Sequence, residues 1–113
     1  MTGVRQGLSG CQEGNAIEVR NFEQNPTTRN VTISGNTVSD YQKNGITVNG
    51  AVLADVTNNS VTGDGPIDYI AQNGIQVAFG ASATVSGNSV SGNDYTPASW
   101  LACGVLYYDA TGV

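Results

Sequence analysis

Asn44-Gly45-Ile46-Thr47-Val48, followed by Val56-Thr57-Asn58-Asn59-Ser60-Val61-Thr62, decides the fold, because both phrases come round again. The first returns as Asn73-Gly74-Ile75-Gln76-Val77 and, more loosely, as Asn15-Ala16-Ile17-Glu18-Val19 and Cys103-Gly104-Val105-Leu106-Tyr107. The second returns as Ile33-Ser34-Gly35-Asn36-Thr37-Val38-Ser39 and Val85-Ser86-Gly87-Asn88-Ser89-Val90-Ser91. Between leading aliphatics the steps are 46 − 17 = 29, 75 − 46 = 29 and 105 − 75 = 30 residues. A fixed period of this length is the signature of stacked, similar structural units.

Each period carries three short segments of alternating apolar and polar residues, such as 46–48, 53–57 and 60–62, separated by turn residues and without helical spacing. A hairpin meander would reverse the strand direction between periods and prevent like residues from stacking. A parallel solenoid places each residue above its counterpart at ~4.8 Å. Alternation then sends Ile17, Ile46, Ile75 and Val105 inward, with Val19, Val48, Val77 and Tyr107 beside them. Glu18, Thr47, Gln76 and Leu106 face outward, flanked by Arg20, Asn49, Ala78 and Tyr108. Asn36, Asn59 and Asn88 fall at one bend of successive coils, where Asn tolerates a left-handed backbone and its amide can bond above and below. They are expected to form a structural ladder.

Composition agrees with strands and tight turns. Gly 15, Asn 12, Thr 11 and Ser 9 make up 47 of the 113 residues, and Val 13 with Ile 6 outnumber Leu 4. Four Lys and Arg against nine Asp and Glu give a net charge of −5, without the basic stripe that binds phosphates, so nucleic acid is not an expected partner. No apolar run reaches the ~20 residues that cross a bilayer, so membrane insertion is not expected either.

These repeats resemble right-handed parallel β-helix repeat proteins of the pectate-lyase-like superfamily over residues 8–113. The resemblance implies an all-β, three-sheet, secreted or cell-surface solenoid whose polysaccharide-acting members bind sugar chains along the outer face of the first sheet. The expectation is one domain over 1–113, with coils starting near 15, 44, 73 and 103. Both terminal coils read as incomplete and uncapped, as in a fragment of a longer solenoid, which predicts end-to-end self-association.

The chemistry is sparse. Without histidine the usual base of a nucleophilic triad is missing. The outward stack of the first sheet holds one acid, Glu18, beside Arg20, and Arg5, Arg29 and Lys43 are scattered, so no catalytic residue is assigned. Two cysteines, Cys11 and Cys103, lie three coils apart, so two free thiols are expected. They form no metal cluster, and neither metal nor cofactor is expected. Longer connections over 64–72 and 93–102 are expected to project beside the outward face. They bring Asp68, Tyr69, Asp94, Tyr95 and Trp100 toward Thr47, Asn49 and Gln76, a mixture of aromatic, carboxylate and amide groups suited to a polysaccharide or other glycan. The favoured reading is a noncatalytic segment of a carbohydrate-active or carbohydrate-binding protein. The alternatives are a structural spacer that stacks on itself, and part of a polysaccharide lyase or glycoside hydrolase whose catalytic residues lie outside the chain.

Overall fold

The computed structural model describes residues 14–24, 27–67, 69–95 and 102–112, with the side chains at 66, 67, 94 and 95 set aside. Alternating β-branched residues form eleven strands and no helix among the described residues: β1 (Ile17–Asn21), β2 (Arg29–Ser34), β3 (Thr37–Ser39), β4 (Asn44–Gly50), β5 (Val52–Thr57), β6 (Ser60–Ile67), β7 (Asn73–Ala78), β8 (Ser82–Ser86), β9 (Ser89–Tyr95), β10 (Cys103–Tyr108) and β11 (Thr111–Gly112). They wind into three sheets in the orders β1-β4-β7-β10, β11-β8-β5-β2 and β3-β6-β9. Every strand pair is parallel. This is a right-handed parallel β-helix.

Register follows the repeat. Ile17 pairs with Ile46, Ile46 with Ile75, and Ile75 with Val105. The lumen is filled by Ile46, Val48, Val56, Val61, Ile75 and Val77, all fully buried. These stacked aliphatics supply the hydrophobic stabilisation, of order 1.5–3 kcal/mol for each fully buried side chain. Val105 remains 45 % exposed because β10 is the edge of its sheet and has a strand on one side only.

The ladder at the bend between the second and third sheets is complete in both directions. Asn59 Oδ1 accepts from the backbone N–H and the amide of Asn36, each at 3.0 Å. Asn88 Oδ1 accepts from the same two groups of Asn59 at 2.9 Å. Asn59 Nδ2 also donates to Ile33 O at 3.0 Å, and Asn88 Nδ2 to Val56 O at 2.8 Å. One detail differs from the expectation. The left-handed residue is the preceding one, Gly35, Asn58 or Gly87, which turns the chain so that the ladder amide points inward.

The connections after the third sheet also differ. Residues 64–67 and 93–95 are strand, not projecting loop: β6 and β9 continue side by side through Ile67 and Tyr95 after an irregularity between Thr62 and Gly65. Paired strands satisfy backbone groups that a loop would leave to water.

Tyr41 is an interior polar group. It is fully buried, its hydroxyl donates to Asn93 Oδ1 at 2.5 Å, and burial, with the nearby charge of Asp64, pushes its pKa up from 10.0 to about 12. A phenol that ionises near 10 in the unfolded chain and near 12 in the folded one stabilises the fold fully below pH 10. That contribution drains away as the pH rises toward 12 and amounts to about 3 kcal/mol. Urea midpoints measured between pH 8 and 12 are expected to fall steeply above 10, and Tyr41→Phe is expected to flatten that fall.

Candidate functional site

The outer face of the first sheet is neither flat nor open. Thr47 is 1 % exposed and Asn49 9 %, and all seven residues of β4 are buried, although Thr47 and Asn49 point away from the lumen. The cover is polar. Asn44 Nδ2 donates to Thr47 Oγ1 at 3.0 Å and to Gln76 Oε1 at 3.2 Å, and Gln76 Nε2 donates to Asn49 Oδ1 at 3.3 Å. Asn73 Nδ2 donates to Asn44 Oδ1 at 3.1 Å, while the Cys103 N–H donates to Asn73 Oδ1 at 3.1 Å. Asn44 and Asn73 thus make a second asparagine ladder at the entry to the first sheet. Both stand in the Asn-Gly-Ile repeat and share one register position, as Asn59 and Asn88 do at the other bend, so the period itself carries their signal.

Beside this network lies an open depression of about 340 Å³ that brings Thr47, Asn49 and Gln76 together with Asn15, Glu18, Arg20, Lys43, Asn44 and Phe79. The depression is mostly uncharged, and its ions are engaged. Arg20 lies 3.8 Å from Glu18, an exposed contact that contributes little. Lys43 Nζ donates to Ala71 O at 2.6 Å, and burial holds its pKa below the ordinary lysine value. At the first coil the pattern changes: Asn15 Nδ2 reaches Glu18 Oε2 at 3.5 Å, and the buried Asn15 Oδ1 has no hydrogen-bond partner among the described residues.

The remaining predicted site residues are not gathered here. Tyr69 does not line the depression; its hydroxyl donates to Asp64 Oδ2 at 3.4 Å, and Gln72 Nε2 donates to the same oxygen at 3.2 Å. Gln72 is fully buried and also donates to Tyr41 O and Gln42 O, so this group ties the chain to the coil beneath. Asp94 and Tyr95 belong to β9, with backbones in register with Pro66 and Ile67. Asp68, Trp100 and Cys11 lie outside the described residues. Cys103 is a free, half-buried thiol.

An aromatic corner closes one edge. Phe79 packs edge-to-face against Phe22 at 6.1 Å and against Tyr108 at 5.9 Å. The three rings are 57 % (Phe22), 51 % (Phe79) and 61 % (Tyr108) exposed, too open to serve as core. Tyr108 is in register with Ala78 rather than with Phe79, so the rings do not occupy one stack position and the repeat does not announce them. Among the described residues no group of three His, Cys, Asp or Glu could hold a metal ion, and no helix is long and apolar enough to cross a membrane.

No curated protein and no solved structure matches the chain. A family model for the right-handed β-helix region matches residues 8–113. With its parallel three-sheet winding and that match over nearly all of its length, the chain belongs to the right-handed β-helix family.

Proposed function

We propose that this chain is a noncatalytic, carbohydrate-binding segment of an extracellular β-helix protein, with its ligand in the depression on the first sheet. The observation that carries this reading is the ordered amide and hydroxyl network of Asn44, Thr47, Gln76 and Asn49, whose half-buried Gln76 lines the depression. Side chains already held by hydrogen bonds present donors and acceptors without the entropy cost of ordering them on binding. An aromatic edge next to such a network matches the mixture of apolar faces and hydroxyls that a sugar ring offers. The extracellular setting follows the resemblance to secreted β-helix repeat proteins.

The noncatalytic part rests on the charge inventory. Glycoside hydrolysis by the common route needs two carboxyl groups flanking the bond, and the depression offers Glu18 alone.

Affinity electrophoresis through gels containing neutral glucans, chitin-derived polymer or polygalacturonate tests the reading. Retardation in at least one polysaccharide is expected, with no new reducing ends in the same mixtures. Gln76→Ala, which removes a half-buried bridging amide, is expected to weaken retention about fivefold and, by leaving Asn49 Oδ1 without its donor, to cost about 1 kcal/mol of stability. Free migration in every polysaccharide would end the proposal.

A further inference from the structure

We propose that Phe79 determines the specificity of the depression, as a stacking surface for the apolar face of a neutral hexopyranose chain. This rests on the carbohydrate reading above and narrows it.

Leaving the first sheet, each of three successive coils turns through a left-handed residue: Gly50 with φ 83°, Phe79 with φ 57° and Asp109 with φ 50°. Glycine has no Cβ to clash there, and aspartate is among the few other residues that visit this region readily. A bulky aromatic at positive φ is an outlier. The corner is built at lower strain in the coil beneath, so the fold itself does not require Phe79.

Packing does not account for the residue either. Phe79 remains half-exposed, and its partners Phe22 and Tyr108 are more exposed still. Gly50 is itself required by the backbone, since a Cβ there would run into the Asn21 carbonyl oxygen and lie 2.9 Å from the Phe22 ring. Strain retained to hold a half-exposed side chain at the rim of a polar depression is the pattern found where a ligand supplies the missing contact.

The ligand chemistry follows from what surrounds the ring. Phe79 offers an apolar surface, and Asn49 and Gln76 offer amides within the same depression. A hexopyranose with equatorial hydroxyls matches both, because its C–H bonds crowd onto the ring faces and its hydroxyls spread around the rim. Charge does not choose between sugars here: Arg20 lies 3.8 Å from Glu18, and Lys43 keeps its charge while donating to Ala71 O, so the choice falls to the ring. A neutral β-linked glucan, whose equatorial hydroxyls leave both ring faces apolar, is the class that fits this pairing of ring and amides.

The test uses Phe79→Gly and Phe79→Asn, with cellohexaose as the probe in calorimetry and thermal melting in parallel. Relief of the left-handed backbone offsets the ring's lost packing, so both variants are expected to melt within a few degrees of the parent. Both are expected to bind cellohexaose about tenfold more weakly, the loss of one good stacking contact. Unchanged affinity in a folded variant would overturn the assignment and leave the carbohydrate reading standing. Preference of the parent for polygalacturonate over the glucan would do the same. Failure of both variants to fold would make Phe79 a folding residue and overturn the inference. Absence of binding to any of the polysaccharides would remove both this inference and the reading beneath it.

Discussion

Asn59→Ala is expected to destabilise the protein by about 3 kcal/mol, at the upper end of the cost of leaving a buried polar group unpaired. Asn59 is 2 % exposed, and its side chain serves both neighbouring coils. Truncation removes the donor to Ile33 O and to Asn88 Oδ1, and the acceptor of the Asn36 backbone N–H. Water cannot replace all of these inside a packed bend. Asn36→Ala is the control: Asn36 is half-exposed, and its amide donates to Ser34 O and Asn59 Oδ1 near the end of the ladder, so about 1 kcal/mol is expected. Chemical denaturation of the two variants checks the ordering, and equal losses would contradict a ladder whose strength lies in its middle rung.

Gly74→Ala is expected to be comparably damaging, at about 3 kcal/mol, for a steric reason. A Cβ at Gly74 would run into Val90 Cγ1 and lie 2.6 Å from the carbonyl oxygen of Gly104. The first obstacle is the end of a side chain and can turn aside. The second is backbone of the adjoining strand and can yield only by disturbing the β7–β10 pairing. Gly104 occupies the equivalent position one coil on, yet a Cβ there meets nothing closer than Val90 Cγ1 at 3.6 Å. Gly104→Ala is therefore expected to change stability by no more than about 0.5 kcal/mol. Identical substitutions at equivalent sites thus separate crowding from glycine's intrinsic preferences, and melting curves for the pair are the measurement.

Glycine at 74 also illustrates how far the fold could be read from sequence. The period was legible because Ile17, Ile46 and Ile75 recur with the same flanking pattern, and side-chain alternation then placed them inward without further information. Parallel pairing followed from that register. Three other features were not legible, each for a physical reason. Burial of Thr47 depends on the amides of Asn44 and Gln76 folding over it, a side-chain arrangement that alternation cannot express. Extension of β6 and β9 through Gly-rich, acidic segments runs against strand propensity and is decided by mutual pairing. The aromatic corner was hidden because Phe22 reaches across a whole coil to Phe79, so its rings do not line up as successive residues of one stack. At the candidate site, Thr47, Asn49 and Gln76 could be found from the repeat, whereas Lys43, Asn15 and Phe79 became visible only once the chain was wound.

Ile46 and Ile75 occupy equivalent places, as do Val48 and Val77, so a block of 75 − 46 = 29 residues could be excised or duplicated and the severed ends would still meet in frame. The molecule's extent along its axis is accordingly quantised, growing in increments of ~4.8 Å per copy. Gene-level duplication can therefore lengthen the surface offered to an extended polymer without inventing a new contact, and the reach of such a protein becomes a matter of copy number.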